Sequence, residues 1–573
     1  MRAALFPFLA MVLAAQTPPA EEARMRADVT FLAGPALEGR GNGSPRLDEA
    51  AAFVVKRYQE LGLTPQVQRF PFIARIRRVA QGATVNGAPL VWGKDVEAAG
   101  YSADASLKGL PLRFVGAAVR TTGYDDLTGL DLKGRHAVIM RKLPDTAAFL
   151  HMNRMDRSLL SRIQKLETAG AAAILIVEDE DQPRPLVREE GPVKLGTPIL
   201  SVPARALVPA LGDLKALAQL ITDTGQPQQP KTGPATLDLT LTLAREEAQL
   251  PNVATVIQGS DPKLRGEYII LGAHMDHLGL GERHSLGGEA GRGHAHPGAD
   301  DNASGTAMVL ELARTLKAKP PARSILLLNF SGEEEGLLGS AYWVQHPTVP
   351  LASVKFMVNL DMVGRLDPVK PTLLLGGLGA PKAALDRAQA FAPKDLPVGG
   401  DLGAAVGGSD HMSFSAAKIP TFFFFTGIHG DYHRPGDTPG KLNYPGMVRV
   451  AAMTATVLDD LANTAQVPAF DPDTAKLPAS KGEASPMRVA FGTLPDYGDN
   501  PKGFRLNGTT PGGTAEAVGL KAGDIITAFG KLPVKNIYDF MGALGAYKPG
   551  DKVVVKWLRD GAAMEAEAQL KGR

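Results

Sequence analysis

Four strongly apolar runs in the second half of the chain end on polar or acidic residues and alternate with helical stretches: "EYIILGAH" (267–274), "SILLLNF" (324–330), "VKFMVNLDM" (354–362) and "TFFFFTG" (421–427). A run that stays apolar at every position fits a strand covered on both faces, which requires helices on both sides and favours parallel pairing. Residues 248–463 therefore read as an α/β unit with a mixed, mostly parallel sheet flanked by helices. In open sheets of this kind ligands gather beyond the carboxyl ends of the strands. The chemistry should lie just after each run.

His274, Asp276 and His277 close the first run, and Ser331, Gly332, Glu333, Glu334 and Glu335 follow the second. Asp361 ends the third, and Tyr432 and His433 come soon after the fourth. The segment "GADDNASG" (298–305) adds Asp301 just ahead of the helical stretch "TAMVLELARTL". Imidazoles and several carboxylates at one crevice form a nitrogen and oxygen donor set suited to Zn²⁺, and also to Mn²⁺ or Co²⁺. Gathered without a cation, the carboxylates would repel and raise one another's pKa. A pair of metal ions resolves this, with a buried polar network as the alternative.

The 62 Lys and Arg against 60 Asp and Glu leave a formal charge of +2, with no long basic block, so a nucleic-acid footprint is not indicated. The start, "MRAALFPFLAMVLAAQTPPAEE", has Arg2, an apolar run and small residues at Ala14 and Ala15, the pattern of a cleavable export signal over residues 1–15. The expectation is an exported protein, periplasmic or secreted, without stable membrane insertion, because no later run reaches about 18 apolar residues. Cysteine is absent. Any metal must be held by His and carboxylates rather than thiolates.

Ser44 and Pro45 mark a helix start, and Leu47, Ala51, Val54, Tyr58 and Leu61 recur at helical spacing until Gly62. Residues 24–73 are read as a first part of the α/β unit. Residues 74–247 change to short strands such as "HAVIMRK" and "AAAILIVED", with the helix "SLLSRIQKLETAG" between, and read as an inserted, mainly-β domain. Residues 464–486, rich in Pro, Ala and charge, read as a linker. A small domain of short strands around one helix occupies 487–573.

The segments "AHMDHLG", "GADDNASG", "SGEEEGLLGS", "NLDMVG" and "YHRPGDT" resemble, in the same order, the motif set of the M28 zinc aminopeptidases. The resemblance, which with residues 28–73 covers roughly half the chain, implies the zinc-exopeptidase fold and two Zn²⁺ ions. His274 and Asp361 match the ligands of one ion, Glu334 and His433 those of the other, and Asp301 the bridge. Glu333 matches the general base, and Asp276 the carboxylate that orients His274. A cis peptide between Asp301 and Asn302 is implied as well. Tyr432 falls near the developing oxyanion, a packed aromatic being its alternative. The substrates implied are peptides, cut at the N-terminal end. The 74–247 insert resembles a protease-associated (PA) domain, and the last domain a PDZ domain through "GTTPGGTAEAVGLKAGDIITAFG", which would take a protein or peptide ligand.

Other residues are set aside. "GERHSLGGEAGRGHAHPG" (281–298), with His284, His294 and His296, reads as a mobile loop at the crevice mouth. His277 reads as a supporting or packing residue. Ser409, Asp410 and His411 read as pocket support; a serine hydrolase is disfavoured because no Gly-x-Ser-x-Gly elbow exists. A carboxypeptidase of the same superfamily, a glutaminyl-cyclase-like transferase and a non-enzymatic binding protein are the rival functions.

Overall fold

The computed structural model describes residues 19–475 and 489–572, apart from short stretches at 145–148, 150–151, 153–157, 179–180, 185–194, 288–289, 400–407, 496–501, 510–511, 535–538, 541–542 and 545–546. The export signal expected over 1–15, and the later half of the linker, lie outside these residues. Among the described residues no helix is long and apolar enough to cross a membrane. The chain divides into one compact unit of residues 1–69 with 251–573 and another, Phe70–Leu250.

In the first unit the apolar runs are strands. In chain order they are β1 (Thr236–Ile257, through its second half), β2 (Tyr268–His274), β3 (Ser324–Phe330), β4 (Val354–Leu360), β5 (Leu373–Gly376), β6 (Val398–Gly399) and β7 (Thr421–Phe425). The spatial order is β6-β5-β7-β4-β2-β3-β1. Pairs β2/β3, β2/β4, β4/β7 and β5/β6 are parallel, whereas β1/β3 and β5/β7 are antiparallel. The sheet is thus mixed and mostly parallel, as its unbroken hydrophobicity predicts. Ile270, Leu326, Leu328 and Met357 pack with Trp343 and Phe414 on one face. Ile269, Leu271 and Leu327 alternate to the other face and are equally buried. Trp343 is fully buried, so truncating it to Ala should cost about 3–5 kcal/mol.

The helix expected after Ser44 runs Pro45–Glu60 and buries Leu47, Ala51, Val54 and Tyr58. A helix Ala20–Leu32 precedes it and buries Met25, Val29 and Leu32, spaced for one helical face. Helices Gly305–Ala318 and Tyr444–Asn463 pack on β2. These elements set the site, because Gly305–Ala318 starts where "GADDNASG" ends.

The second unit is mainly strand, as expected, with helices beside it. Strands Ala105–Gly116, His136–Met140, Ala173–Glu178 and Ile199–Pro203 pair in parallel, in that order. Helices Leu159–Thr168, Ala204–Leu211 and Leu214–Thr224 accompany them. Leu159–Thr168 lies in the crossover from His136–Met140 to Ala173–Glu178, as parallel neighbours require, and the other two helices follow Ile199–Pro203. The boundaries, Phe70 and Leu250, lie within a few residues of the expected 74 and 247.

The C-terminal domain is an antiparallel sheet built on Phe504–Thr509, Ile525–Phe529, Lys552–Arg559 and Ala562–Gln569. It has its own core around Phe491, Phe504, Phe529, Phe540 and Trp557. The expected linker is less free than its composition suggests. Phe470 lies where a side chain on Gly379 would have to go, 2.2 Å from that Cβ position, and Asp471 donates its N–H to the Gly379 carbonyl at 2.8 Å.

Candidate metal centre

Strand geometry brings the expected residues to one place. His274 is the last residue of β2, Asp361 follows β4, Glu333 and Glu334 follow β3, His433 lies beyond β7, and Asp301 sits in the turn before the helix. His274 Nε2 is 3.3 Å from Asp301 Oδ1 and 3.4 Å from Asp361 Oδ1. His433 Nε2 is 3.3 Å from Asp301 Oδ2 and 3.1 Å from Glu334 Oε2. Asp301 therefore turns one oxygen to each imidazole. The Asp301–Asn302 peptide is cis, as the resemblance implies.

Each imidazole has its other nitrogen spent. His274 Nδ1 donates to the backbone carbonyl of Asp276 at 3.2 Å, and His433 Nδ1 to that of His284 at 3.0 Å. In a neutral ring this leaves the Nε2 lone pair facing carboxylates, an arrangement that a cation stabilises and that metal-binding histidines habitually adopt. His274 Nε2 and Asp361 Oδ1 are buried without a hydrogen-bond partner. Ligand atoms about 2.1 Å from a tetrahedral Zn²⁺ lie about 3.4 Å apart, close to the separations seen. The donor set fits the ion.

The electrostatics agree. Burial disfavours charge on His274, yet Asp361 and Glu333 raise its pKa well above the ordinary value. Burial likewise opposes the charge on His433, and Glu334 with Asp301 raises it. Asp301 is held well below the usual range against its burial, chiefly by His277 and His274. Glu333 behaves oppositely: burial, with Glu334, Asp361 and Asp410 nearby, pushes it well up despite His274. It sits 4.0 Å from His274 Nε2.

Asp276 acts more broadly than expected. Its Oδ1 lies 3.7 Å from His274 Nδ1, farther than its own backbone carbonyl. The carboxylate instead accepts the N–H groups of Glu333 and Glu334, both at 3.3 Å, and Asn42 Nδ2 at 2.7 Å. It fixes the turn that carries both glutamates. Tyr432 stacks on His433, ring centroids 3.9 Å apart, and its phenol is pushed well above its ordinary pKa by burial and by Asp301 and Glu334. Among the residues set aside, Ser409 accepts from Asn359 Nδ2 at 2.8 Å.

Further residues complete the centre. His277 is buried, and its Nδ1 donates to Glu334 Oε1 at 2.6 Å. Asp437 Oδ2 accepts the N–H of Asp300 at 2.9 Å and of Asp301 at 3.1 Å. Arg40, fully buried, donates to the carbonyls of Leu32, Met275, Pro297 and Gly298. Burial lowers its pKa to about 10, so it remains a cation tying the end of β2 to the turn before Asp301. His277 and Asp437 fall inside the segments "AHMDHLG" and "YHRPGDT", whereas Arg40 lies outside all five motifs.

Fold and site together describe a hydrolase of the zinc-exopeptidase type. Residues 252–458 match peptidase family M28, and residues 503–570 match the PDZ domain. The chain belongs to peptidase family M28. It is similar to Aminopeptidase YwaD of Bacillus subtilis, 26% identical over 70% of this chain and 77% of that one. It is also similar to the uncharacterized protein YfbL of Escherichia coli, 30% identical over 34% of this chain and 67% of that one. Among solved structures, an aminopeptidase from Aneurinibacillus sp. strain AM-1 shares the fold, with a TM-score of 0.51 and 23% identity over 79% of this chain and 96% of that one.

Proposed function

We propose that the protein is an exported aminopeptidase with a dinuclear zinc centre: His274 and Asp361 on one ion, Glu334 and His433 on the other, Asp301 between. The observation that carries the reading is the matched pair of imidazoles, each with Nδ1 bound to a backbone carbonyl and Nε2 facing one oxygen of Asp301. Bound zinc supplies Lewis-acid polarisation of the scissile carbonyl and acidifies a water. Glu333 is the general base. Its raised pKa suits a carboxylate that takes a proton from water and returns it to the leaving amine as the C–N bond breaks. Asp276 holds the N–H groups of Glu333 and Glu334 and so aims both carboxylates. Tyr432 stays protonated and serves as a donor to the developing oxyanion. Export rests on residues 1–15, and the PDZ domain is the place for a further protein or peptide ligand.

Attack at the N-terminus rather than the C-terminus follows from charge. A substrate carboxylate would need a cationic clamp, but Arg365 is committed to Asp431 at 2.8 Å and Asp437 at 3.4 Å, and Arg283 lies 3.8 Å from Glu335. A free α-amine meets a carboxylate-rich site instead. The YwaD relative bears the name aminopeptidase, which supports the same end preference. The test is hydrolysis of a free-amine peptide beside its N-acetylated twin on zinc-loaded enzyme. Cleavage of the free peptide alone is expected; equal rates, or release of C-terminal residues from the blocked peptide, would refute the end preference.

A further inference from the structure

The glycine-rich segment 281–298, expected to be a mobile loop, grips one of the proposed ligands. His284 accepts the Nδ1–H of His433 at 3.0 Å, and Leu286 donates its N–H to the backbone carbonyl of His433 at 2.9 Å. Ring and main chain of His433 thus rest on two loop residues, His284 and Leu286. His433 stands at φ of 53°, an uncommon conformation for a residue with a side chain, and one its surroundings must hold. Ser285 lies between the two gripping residues. Its Oγ is 2.7 Å from His296 Nε2 and accepts the Gly287 N–H at 3.0 Å.

His296 is a fixed post. It is fully buried, its Nδ1 donates to the His294 carbonyl at 2.9 Å, and its backbone N–H donates to Gly279 at 2.8 Å. A Cβ on Gly281 would come within 2.1 Å of the His296 ring, so glycine is required there, and its φ of 67° is one glycine adopts freely. With Nδ1 carrying the proton, Nε2 accepts the Ser285 hydroxyl. Burial keeps the ring neutral by lowering its pKa.

We propose that Ser285 and His296 form a clasp that positions His433, so that the loop governs how tightly the ion shared by His433 and Glu334 is held. The inference rests on the two-ion reading above. Direct partners of a metal ligand typically change metal affinity by about 10–100-fold when removed; Ser285 and His296 stand behind the His284 carbonyl and the Leu286 N–H, so a smaller effect, up to about 10-fold, is expected. The clasp bears on the ion of His433; His274 instead turns Nδ1 to the Asp276 carbonyl, and Asp361 Oδ1 faces His274 Nε2.

The experiment titrates Zn²⁺ into the metal-depleted full-length protein against a chromophoric chelator, comparing wild type, Ser285→Ala, His296→Gln and the double variant. Two ions are expected for the wild type. Ser285→Ala should weaken one by up to about 10-fold and leave the other unchanged. His296→Gln, which can still bond the hydroxyl, should lose less, and the double variant no more than Ser285→Ala alone. If Ser285→Ala does not fold, His296→Gln carries the test. Unchanged affinities in a two-ion wild type, or equal weakening of both ions, would overturn the clasp and leave the dinuclear reading standing. A single ion in the wild type would overturn that reading, and the clasp with it.

Discussion

His277 and Glu334 are joined at 2.6 Å, Nδ1 to Oε1, which leaves Glu334 Oε2 directed at His433 Nε2 3.1 Å away. One carboxylate is thereby split between a neighbour that holds it and a place where it can bind a metal. The space around His277 is tight: a Cβ on Gly298 would lie 2.5 Å from its ring. Replacing His277 by Ala should free Glu334 to rotate and weaken the ion shared with His433 about 10–100-fold. Zinc titration of the metal-depleted variant measures this, and an unchanged affinity would reduce His277 to packing.

Glu333→Gln keeps the shape and removes the base. Zinc content should be unchanged while kcat falls about 10²- to 10⁴-fold, with a folded protein by circular dichroism. Full turnover in that variant would move the base elsewhere.

Asp301 and Asp361 should separate by stoichiometry. Asp301 addresses both imidazoles at 3.3 Å, so Asp301→Ala should disturb both ions. Asp361 approaches only His274 among the two, so Asp361→Ala should release one. Zinc per chain by mass spectrometry after dialysis distinguishes the outcomes, and two retained ions in Asp301→Ala would contradict the bridge.

Much of this was legible beforehand because strand ends are legible. A run such as Ile269, Ile270 and Leu271 declares a strand buried on both faces, and His274 follows by position. Asn42 was not legible in the same way. It contacts the centre through a fold-dependent approach of distant chain, reaching Asp276. No spacing rule encodes that meeting. The loop at 281–298 misled for another reason: its glycines suggest freedom, whereas Gly281 is there to admit the His296 ring.

Asp410 and His411 should give the metal-depleted protein a diagnostic pH response. Burial pushes Asp410 up to about 7 and lowers His411 to about 3, so neighbouring side chains are displaced in opposite senses. His411 is neutral in the fold, and below about pH 6.5 the unfolded chain takes a proton the fold refuses. Its contribution to stability is therefore lost as pH falls, by about 1.4 kcal/mol per unit. Asp410 works the other way, its cost growing as pH rises from about 4 towards 7. His411→Phe, which can keep the stack on Phe423, should abolish the first effect alone. Urea unfolding at pH 7, 6 and 5 should show the wild type losing ground to the variant; a constant difference would refute the assignment.

Truncation should depend on where it falls. A chain ending at 475 keeps Phe470 against Gly379 and the Thr464 carbonyl that receives Arg323 at 2.5 Å, and it should remain folded and active. Ending at 463 removes both and should cost about 1–3 kcal/mol. Thermal unfolding of the two truncations compares them directly. Loss of small-peptide hydrolysis in the longer one would make the C-terminal domain part of the active enzyme.

The residues proposed to hold metal are contributed by separate strand ends and one turn, from His274 to His433 in sequence. No shorter stretch of nascent chain contains the set, and local pairing of any two strands leaves it incomplete. The full proposed set therefore comes together only when β7 is docked beside β4. Zinc held by the whole proposed set would then report on a folded sheet, because a preformed site rarely exists in an unfolded chain.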